Sequence, residues 1–149
     1  MATCAGVSAA DDDGPANRAF VDTAATQDAL ASATRLSADL FTFEYTDVKA
    51  HEAKFVRLTT GDFTREYGKL FNDVIAQAKA RQTSMTSTVN AAAVRVLHDD
   101  RAEVLVFLDQ RVTSGANGDE TAANAMFTAT IQRVGGTWKV ADIDLYEDR

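Results

Sequence analysis

The sequence predicts an α+β fold in which three N-terminal helices pack on a curved, four-stranded antiparallel sheet. Two observations carry this prediction. Apolar residues recur every three or four positions up to about residue 82, which is the helical period, and every second position afterwards, which is the strand period. Turn signals separate the later segments, as in strands joined by hairpins. Helices segregated from an antiparallel meander are typical of the α+β class, and a long bent sheet curled around helices forms a cone.

The first predicted helix has Asp22 or Thr23 as its N-cap. Small and large apolar side chains recur along one face of it, and such a stripe packs closely against a sheet. A short second helix is predicted to end near Gly61, with a buried side made by Val48, Phe55 and Leu58. The residues of the first stripe are Ala29, Ala33, Leu36, Leu40 and Phe41.

The third predicted helix begins after Asp62, which is a plausible N-cap. The polar run "QAKARQ", residues 77–82, closes it. Five apolar or aromatic residues at helical spacing are predicted to share its buried face: Phe63, Tyr67, Leu70, Phe71 and Val74.

Four strands follow, and the apolar parity within the first of them changes along its length. Met85 and Val89 share one parity, whereas Val94 and Val96 share the other, so a bulge is predicted near Ala91–Ala93. Gly135 and Gly136 predict a two-residue hairpin, because a type I′ turn needs positive φ at both positions. The predicted strands are 83–97, 101–114, 121–134 and 137–146.

Composition limits the classes of function. The chain has 149 residues, 46% of them hydrophobic, which suits one domain with a substantial core. Its net charge of −7 and the lack of a basic stripe argue against a nucleic-acid partner. Cys4 is the only cysteine, and no metal site or cofactor is predicted. His51 and His98 lie far apart in sequence and are predicted to be exposed surface residues.

The first 17 residues are small and acidic, with three consecutive aspartates and the only proline. This composition is typical of a disordered leader or linker. Residues 18–149 are then the folded domain. No stretch of the sequence reaches the ~20 apolar residues of a membrane span.

The stretch "RAEVLVFLDQ", residues 101–110, holds five apolar residues in a row before Asp109. An unbroken run indicates a strand that is buried on both faces. A strongly curled sheet within one chain would cover the second face, and so would a partner, including a second copy of this chain bound through the sheet. Both readings stay open at the level of sequence.

Asp142 and Asp109 are the weak catalytic candidates. A two-residue turn at 135–136 would place Asp142 opposite Ala129 and on the same face as Trp138. A carboxylate among apolar residues has a raised pKa and serves as a general base in isomerase-like pockets. Tyr45 and Tyr67 are the only candidate partner acids. The residues proposed to line such a pocket are Phe107, Phe127, Ile131, Trp138 and Asp142.

Structural roles are the competing interpretation of the same residues. Asp142 would pair with Arg133, Arg95 or Arg111, and Asp109 would cap a turn or face solvent. The aromatic residues would fill the core rather than line a cavity. No Ser/His/Asp arrangement, phosphate-binding loop or metal-ligand spacing is present in the sequence, so no catalytic residue is assigned.

Several segments together resemble the Mce-associated membrane proteins of actinobacteria. They are "VDTAATQDALASAT", "RLTTGDF", "RAEVLVFLDQ" and "GGTWKVADIDLY", and the likeness covers about residues 18–146. The resemblance implies a cone like that of nuclear transport factor 2 (NTF2) and the SnoaL-like and ketosteroid-isomerase-like enzymes. It also implies one N-terminal membrane helix, which these 149 residues lack, with the domain outside the plasma membrane.

The resemblance implies an accessory, non-enzymatic role in Mce systems, which move lipids or sterols across the cell envelope. The expected partners are Mce-system proteins, and a lipid or sterol is a possible ligand. Two alternatives remain: a small-molecule or lipid-binding module without chemistry, and a ketosteroid-isomerase-like enzyme that uses Asp142 or Asp109.

Overall fold

The computed structural model of the protein describes residues 22–146. The acidic leader predicted over residues 1–17 lies outside this range. Within this range, three α-helices are followed by four strands. The strands form one antiparallel sheet with the order β1-β2-β3-β4, so the predicted α+β fold is confirmed.

The helices are α1 (Thr23–Leu40), α2 (Val48–Leu58) and α3 (Gly61–Arg81), with a short 3₁₀ turn at Tyr45–Asp47. Asp22 caps α1 as expected, because its side chain accepts a hydrogen bond from the backbone N–H of Ala25 at 2.9 Å.

The predicted N-cap of α3 is wrong by two residues. Thr60 is the N-cap, in extended backbone conformation, and Asp62 already lies in the first helical turn. A negative charge there interacts favourably with the helix dipole, and the carboxylate of Asp62 also pairs with Arg65 one turn later. In the sequence, Asp62 therefore marks the first turn of α3 and not its N-cap.

The strands are β1 (Ser84–His98), β2 (Arg101–Ser114), β3 (Asp119–Val134) and β4 (Thr137–Leu145). The β3–β4 hairpin is as predicted: Val134 pairs with Thr137, and both intervening glycines have positive φ. The pairing of β1 with β2 shifts between Val89 and Ala91, beside the predicted bulge, and again between Val94 and Val96. These two shifts bend the strand.

The core lies between the helices and the concave face of the sheet. Ala29, Ala33, Leu36 and Leu40 of α1 are fully or almost fully buried. The small side chains of Ala29 and Ala33 let the helix approach the sheet closely. Opposite them lie the inward residues of the strands, which include Val104, Val106, Phe127, Ile131 and Val140.

The stripe predicted for α3 is only partly buried. Phe63 and Phe71 belong to the core, and Tyr67 is half-buried. Leu70 and Val74 are exposed instead, at 57% and 46%. They lie where α3 passes the open end of the cone, so the sheet does not cover them.

Two short bridges fasten the loops to the sheet edges. Phe43 forms an antiparallel bridge with Met85 of β1, and Thr59 forms a parallel bridge with Val140 of β4. Within residues 22–146, no helix combines the length and the hydropathy that a membrane span needs.

Candidate functional site

Strand β2 separates its side chains cleanly between the two faces of the sheet. Ala102, Val104, Val106 and Leu108 point inward and are 0–1% exposed. Phe107 points outward and is 41% exposed. Residues 22–146 therefore cover the five-residue apolar run fully on its inner face, whereas on the outer face Leu105 is half-buried and Phe107 is exposed.

A groove of about 730 Å³ lies on the outer, convex face of the sheet. Its centre is apolar, made by Phe107 and the half-buried Met126, and its edge is polar. We call it the outer groove and define it by Ala91, Phe107, Asp109, Asn124, Met126 and Tyr146.

Asp109 belongs to the polar edge of the outer groove. Its side chain is exposed and accepts a hydrogen bond from Nδ2 of Asn90 at 2.9 Å. A hydrated carboxylate with one neutral donor lacks the apolar surroundings of a buried general base. Asp109 therefore has a structural and surface role in this geometry.

Asp142 does not reach the inner face. Arg133 pairs with Trp138 and Ile131 with Val140, as expected, but the pairing then shifts by one residue. Thr130 pairs with Asp142 as a result, so the expected pairing of Ala129 with Asp142 is wrong. The shift keeps the charged side chain in water, because burying an unpaired carboxylate is costly.

The arginines considered as partners of Asp142 contact other groups. Arg133 pairs with Asp28 at 3.4 Å, and Arg111 pairs with Glu120 at 3.3 Å. Nη1 of Arg95 donates to the Thr128 hydroxyl at 3.3 Å and to the Tyr146 hydroxyl at the same distance.

Arg95, Thr128 and Tyr146 form a polar network on the outer face. The two hydroxyl groups lie 2.9 Å apart, and Arg95 reaches them from β1 across the intervening strand β2. This network holds the ring of Tyr146 at one end of the outer groove. Sequence periodicity did not predict the network, since Arg95 lies between the two residues of a register shift.

The five residues proposed for a ligand pocket are divided between the two faces. Phe127, Ile131 and Trp138 are buried on the inner face, whereas Phe107 and Asp142 are exposed on the outer face. They therefore do not line one cavity. Ile131 and Trp138 belong to the core, as in the competing interpretation, whereas Phe127 is a core residue that also lines a second opening.

A second apolar opening lies between α3 and the open end of the sheet. We call it the cone mouth; its volume is about 280 Å³. Leu70, Val74 and Leu145 are at its lip, and Phe41 and Phe127 are deep inside. Sequence analysis placed Leu70 and Val74 on a buried face and did not predict that they form the lip of a cavity.

His51 is buried, at 3% exposure, so its predicted surface position is wrong. Its ring stacks on Phe71 at 5.1 Å and meets Phe43 edge-on at 5.7 Å. Within residues 22–146 neither ring nitrogen has a hydrogen-bond partner of good geometry.

The surroundings of His51 keep the ring neutral. Burial and, to a smaller extent, the positive charge of Lys54 lower its pKa to about 4, and the backbone of Thr42 opposes the shift. Lys54 donates to the Thr42 carbonyl at 2.9 Å, and burial also lowers the pKa of Lys54. Among the residues of the structure from 22 to 146, no His, Cys, Asp and Glu side chains are grouped as a metal site.

Comparison with models of protein families identifies the family of the chain. A family model described as "Uncharacterized protein Rv1363c/MT1408-like" matches residues 16–146. The chain belongs to the Rv1363c/MT1408-like family.

Similar proteins come from Mycobacterium tuberculosis. Protein Rv1362c is 32% identical over 129 residues, which are 86% of this chain and 54% of the relative. The outer membrane protein Rv1973 is 33% identical over 100 residues, which are 66% of this chain and 62% of the relative. The chain thus spans a little over half the length of these curated relatives.

Solved structures show the same fold in secretion-system proteins. An IcmL-like type IV secretion system protein of Legionella pneumophila matches with a TM-score of 0.70 and 10% identity, over 83% of this chain and 93% of that one. CagV of Helicobacter pylori, a VirB8 homologue, matches with a TM-score of 0.66 and 12% identity, over 81% and 98%. Identities this low show a common fold and nothing more. The Rv1363c/MT1408-like chain therefore shares the NTF2-like fold of VirB8-type domains.

Proposed function

We propose that this Rv1363c/MT1408-like domain is a non-enzymatic accessory subunit of an Mce-type lipid or sterol import system. In this proposal the domain is held at the outer face of the plasma membrane by one membrane helix, and it binds and steadies other proteins of the system. The observation that carries the proposal is the exposed apolar centre of the outer groove.

The outer groove has the composition of a protein-binding surface. Phe107 and Met126 provide an apolar centre, and Asn124 and Asp109 provide a polar edge with hydrogen-bonding capacity. Interfaces commonly combine a desolvated aromatic anchor with a polar rim. An exposed phenylalanine at the centre of a groove would gain most from burial by a partner.

The comparisons support a partner-binding role by analogy. The two solved neighbours described above, the IcmL-like protein and CagV, belong to type IV secretion systems. The name of Rv1973 as an outer membrane protein agrees with a role in the envelope. The Mce-specific part of the proposal rests on the sequence resemblance.

The enzymatic alternative has less support in the geometry. Asp142 is on the outer face, and Asp109 is exposed and hydrogen-bonded by Asn90. Neither carboxylate lies in an apolar cavity, so neither has the environment of a buried general base.

Site-specific photo-crosslinking in mycobacterial cells tests the proposal. A photoreactive amino acid would replace Phe107 in the full-length protein, and a matched variant would carry it at Gln132, which is exposed on the same face of the sheet. Mass spectrometry of the products should identify Mce-system proteins at position 107 and not at position 132.

Two results would overturn the proposal. Crosslinks from position 107 to a second copy of the chain alone would make the outer groove a homodimer interface. Equal yields from both positions would show that the groove is not a specific surface.

A further inference from the structure

The cone mouth is a second exposed apolar surface. It differs from the outer groove in having no charged residue in its lining. Leu70, Val74 and Leu145 at its lip are 57%, 46% and 47% exposed. They are three of the seven large apolar side chains that are exposed within residues 22–146. Clustering of such residues around one cavity indicates a binding site more strongly than scattered exposure does.

The cavity leads from this lip into the hydrophobic core. Its inner end is formed by Phe41, Phe43 and Phe127, all of which are buried core residues. A molecule that enters the mouth therefore leaves water progressively, and its inner end is surrounded by aromatic rings. This depth distinguishes the mouth from a shallow surface groove.

The residues that line the mouth carry no charge. Gln110 and Tyr67 are its only polar side chains beyond small backbone contributions, and burial raises the pKa of the Tyr67 hydroxyl, which therefore stays neutral. A charged or strongly hydrated group would lose its water there without gaining a partner. The ligand portion inside must therefore be apolar.

Two other cavities within residues 22–146 lack this property, and so does a third, of about 500 Å³, which includes Asp109 and Arg111. The outer groove includes Asp109 and two asparagines, and a cleft of about 310 Å³ between α2 and α3 includes Glu52, Arg65 and Lys69. An acyl chain would meet hydrated polar groups in all three places. The cone mouth is the best match for a hydrocarbon among these four.

The size of the mouth favours a thin ligand. Its volume of about 280 Å³ lies just below the range for ligand sites, about 300–1,000 Å³. Two turns of a helix about 10 Å across fill roughly 800 Å³. An inserted helix would not fit, whereas an extended hydrocarbon chain would.

We propose that the cone mouth binds the end of a single acyl chain, methyl group first, with the head group left in water outside the lip. The inference rests on the proposed role in lipid import and gives that role a binding site on this chain. It also makes the length of the hydrocarbon, rather than the charge of the head group, the main determinant of affinity.

A matched pair of valine variants tests the site. Val74→Gln places a polar side chain at the lip, and Val134→Gln makes the same change at a comparably exposed position in the distant β3–β4 hairpin, where Val134 is 41% exposed. Both changes are on the surface, so both variants should fold. Ala125→Phe, a half-buried lining position, would fill the mouth from inside.

The probes are dodecanoate and dodecylphosphocholine, both below their critical micelle concentrations, with butyrate as the short-chain control. Isothermal titration and amide chemical shifts in nitrogen-15 spectra would report binding. We expect both dodecyl ligands to bind with dissociation constants within threefold of each other and butyrate not to bind. Shifts should cluster at Leu70, Val74, Ala125 and Leu145.

Val74→Gln should weaken binding at least fivefold, Ala125→Phe should abolish it, and Val134→Gln should leave it unchanged.

Equal affinities of the two glutamine variants would overturn the proposal, and so would binding of dodecanoate alone, which would indicate a carboxylate site. Failure to bind either dodecyl ligand, with crosslinking through Phe107 intact, would refute the acyl-chain site and leave the accessory role standing.

Discussion

The indole Nε1 of Trp138 donates a hydrogen bond to the Asp28 carboxylate at 3.0 Å, which joins β4 to α1. The same carboxylate oxygen accepts from Nη2 of Arg133 at 3.4 Å. The guanidinium carbon of Arg133 lies 4.6 Å from the centre of the Trp138 ring, within the range of a cation–π contact. Asp28 on α1 thus holds the side chains of both Arg133 and Trp138, which pair with each other across β3 and β4.

Replacing Asp28 by alanine should destabilise the domain by about 1–2 kcal/mol. The cost arises because the buried indole N–H loses its acceptor and the Arg133 charge loses its partner. Urea unfolding followed by the fluorescence of Trp138, the only tryptophan, measures the change directly. The native emission should also shift, because the indole nitrogen is at the altered contact.

The surface pair of Arg111 and Glu120 provides the control for Asp28→Ala. Its side chains are 70% and 58% exposed, so Glu120→Ala should change stability by no more than about 0.5 kcal/mol. Equal losses in the two variants would mean that the Asp28 contact is no stronger than an exposed ion pair.

Neighbouring residues on β4 should differ sharply in their sensitivity to truncation. Ile143→Ala should cost about 2–4 kcal/mol, since Ile143 is buried opposite Ala129. Asp142→Ala should stay within about 0.5 kcal/mol, since Asp142 is exposed. Urea unfolding of both variants checks the register shift, and the reverse order of sensitivity would place Asp142 on the inner face.

The order and type of the elements were predictable because they depend on local periodicity. The helical stripe of α1 and the strand pattern of β2 are readable from any window of about ten residues. The glycine pair at 135–136 also fixed a hairpin through backbone conformation alone. These features need no knowledge of the tertiary structure.

The candidate site was less predictable because it depends on register and on coverage. One extra residue at Ala141 moved Asp142 to the outer face, and no local pattern marks such a shift. The exposure of Leu70 and Val74 depends on where the sheet ends, and the burial of His51 depends on Phe43 and Phe71, which come from different segments. Helical spacing alone does not tell which of Leu70, Val74 and His51 is buried and which is exposed.

Alanine substitutions at Gly136 and Gly68 should change the stability of the domain in opposite directions. Gly136 has φ +83° with open space around a Cβ, so Gly136→Ala should cost about 1 kcal/mol from backbone conformation alone. Gly68 lies within α3, where a Cβ would meet only Phe55 at an ordinary 3.5 Å. Gly68→Ala should therefore stabilise the domain by about 0.5–1 kcal/mol. Thermal unfolding of both variants measures the difference, and a destabilised Gly68→Ala would show that α2 and α3 pack more tightly than this distance indicates.

Acid should destabilise the domain through His51. Burial lowers the pKa of this ring from 6.5 to about 4 in the folded state, so the unfolded chain binds the proton more tightly than the folded one. The contribution to stability is therefore complete above pH 6.5, and it is lost as the pH falls from 6.5 towards 4. One proton changes the free energy of unfolding by at most about 1.4 kcal/mol per pH unit.

The variant His51→Phe isolates this contribution from the carboxylates that titrate in the same range. A phenyl ring keeps the contacts with Phe43 and Phe71 but binds no proton. Urea unfolding at pH 7, 5.5 and 4.5 should show a smaller loss of stability for the variant than for the wild type. Identical pH dependence of the two proteins would mean that the imidazole is protonated as easily in the folded state as in the unfolded chain, through water that reaches the ring between α2 and α3.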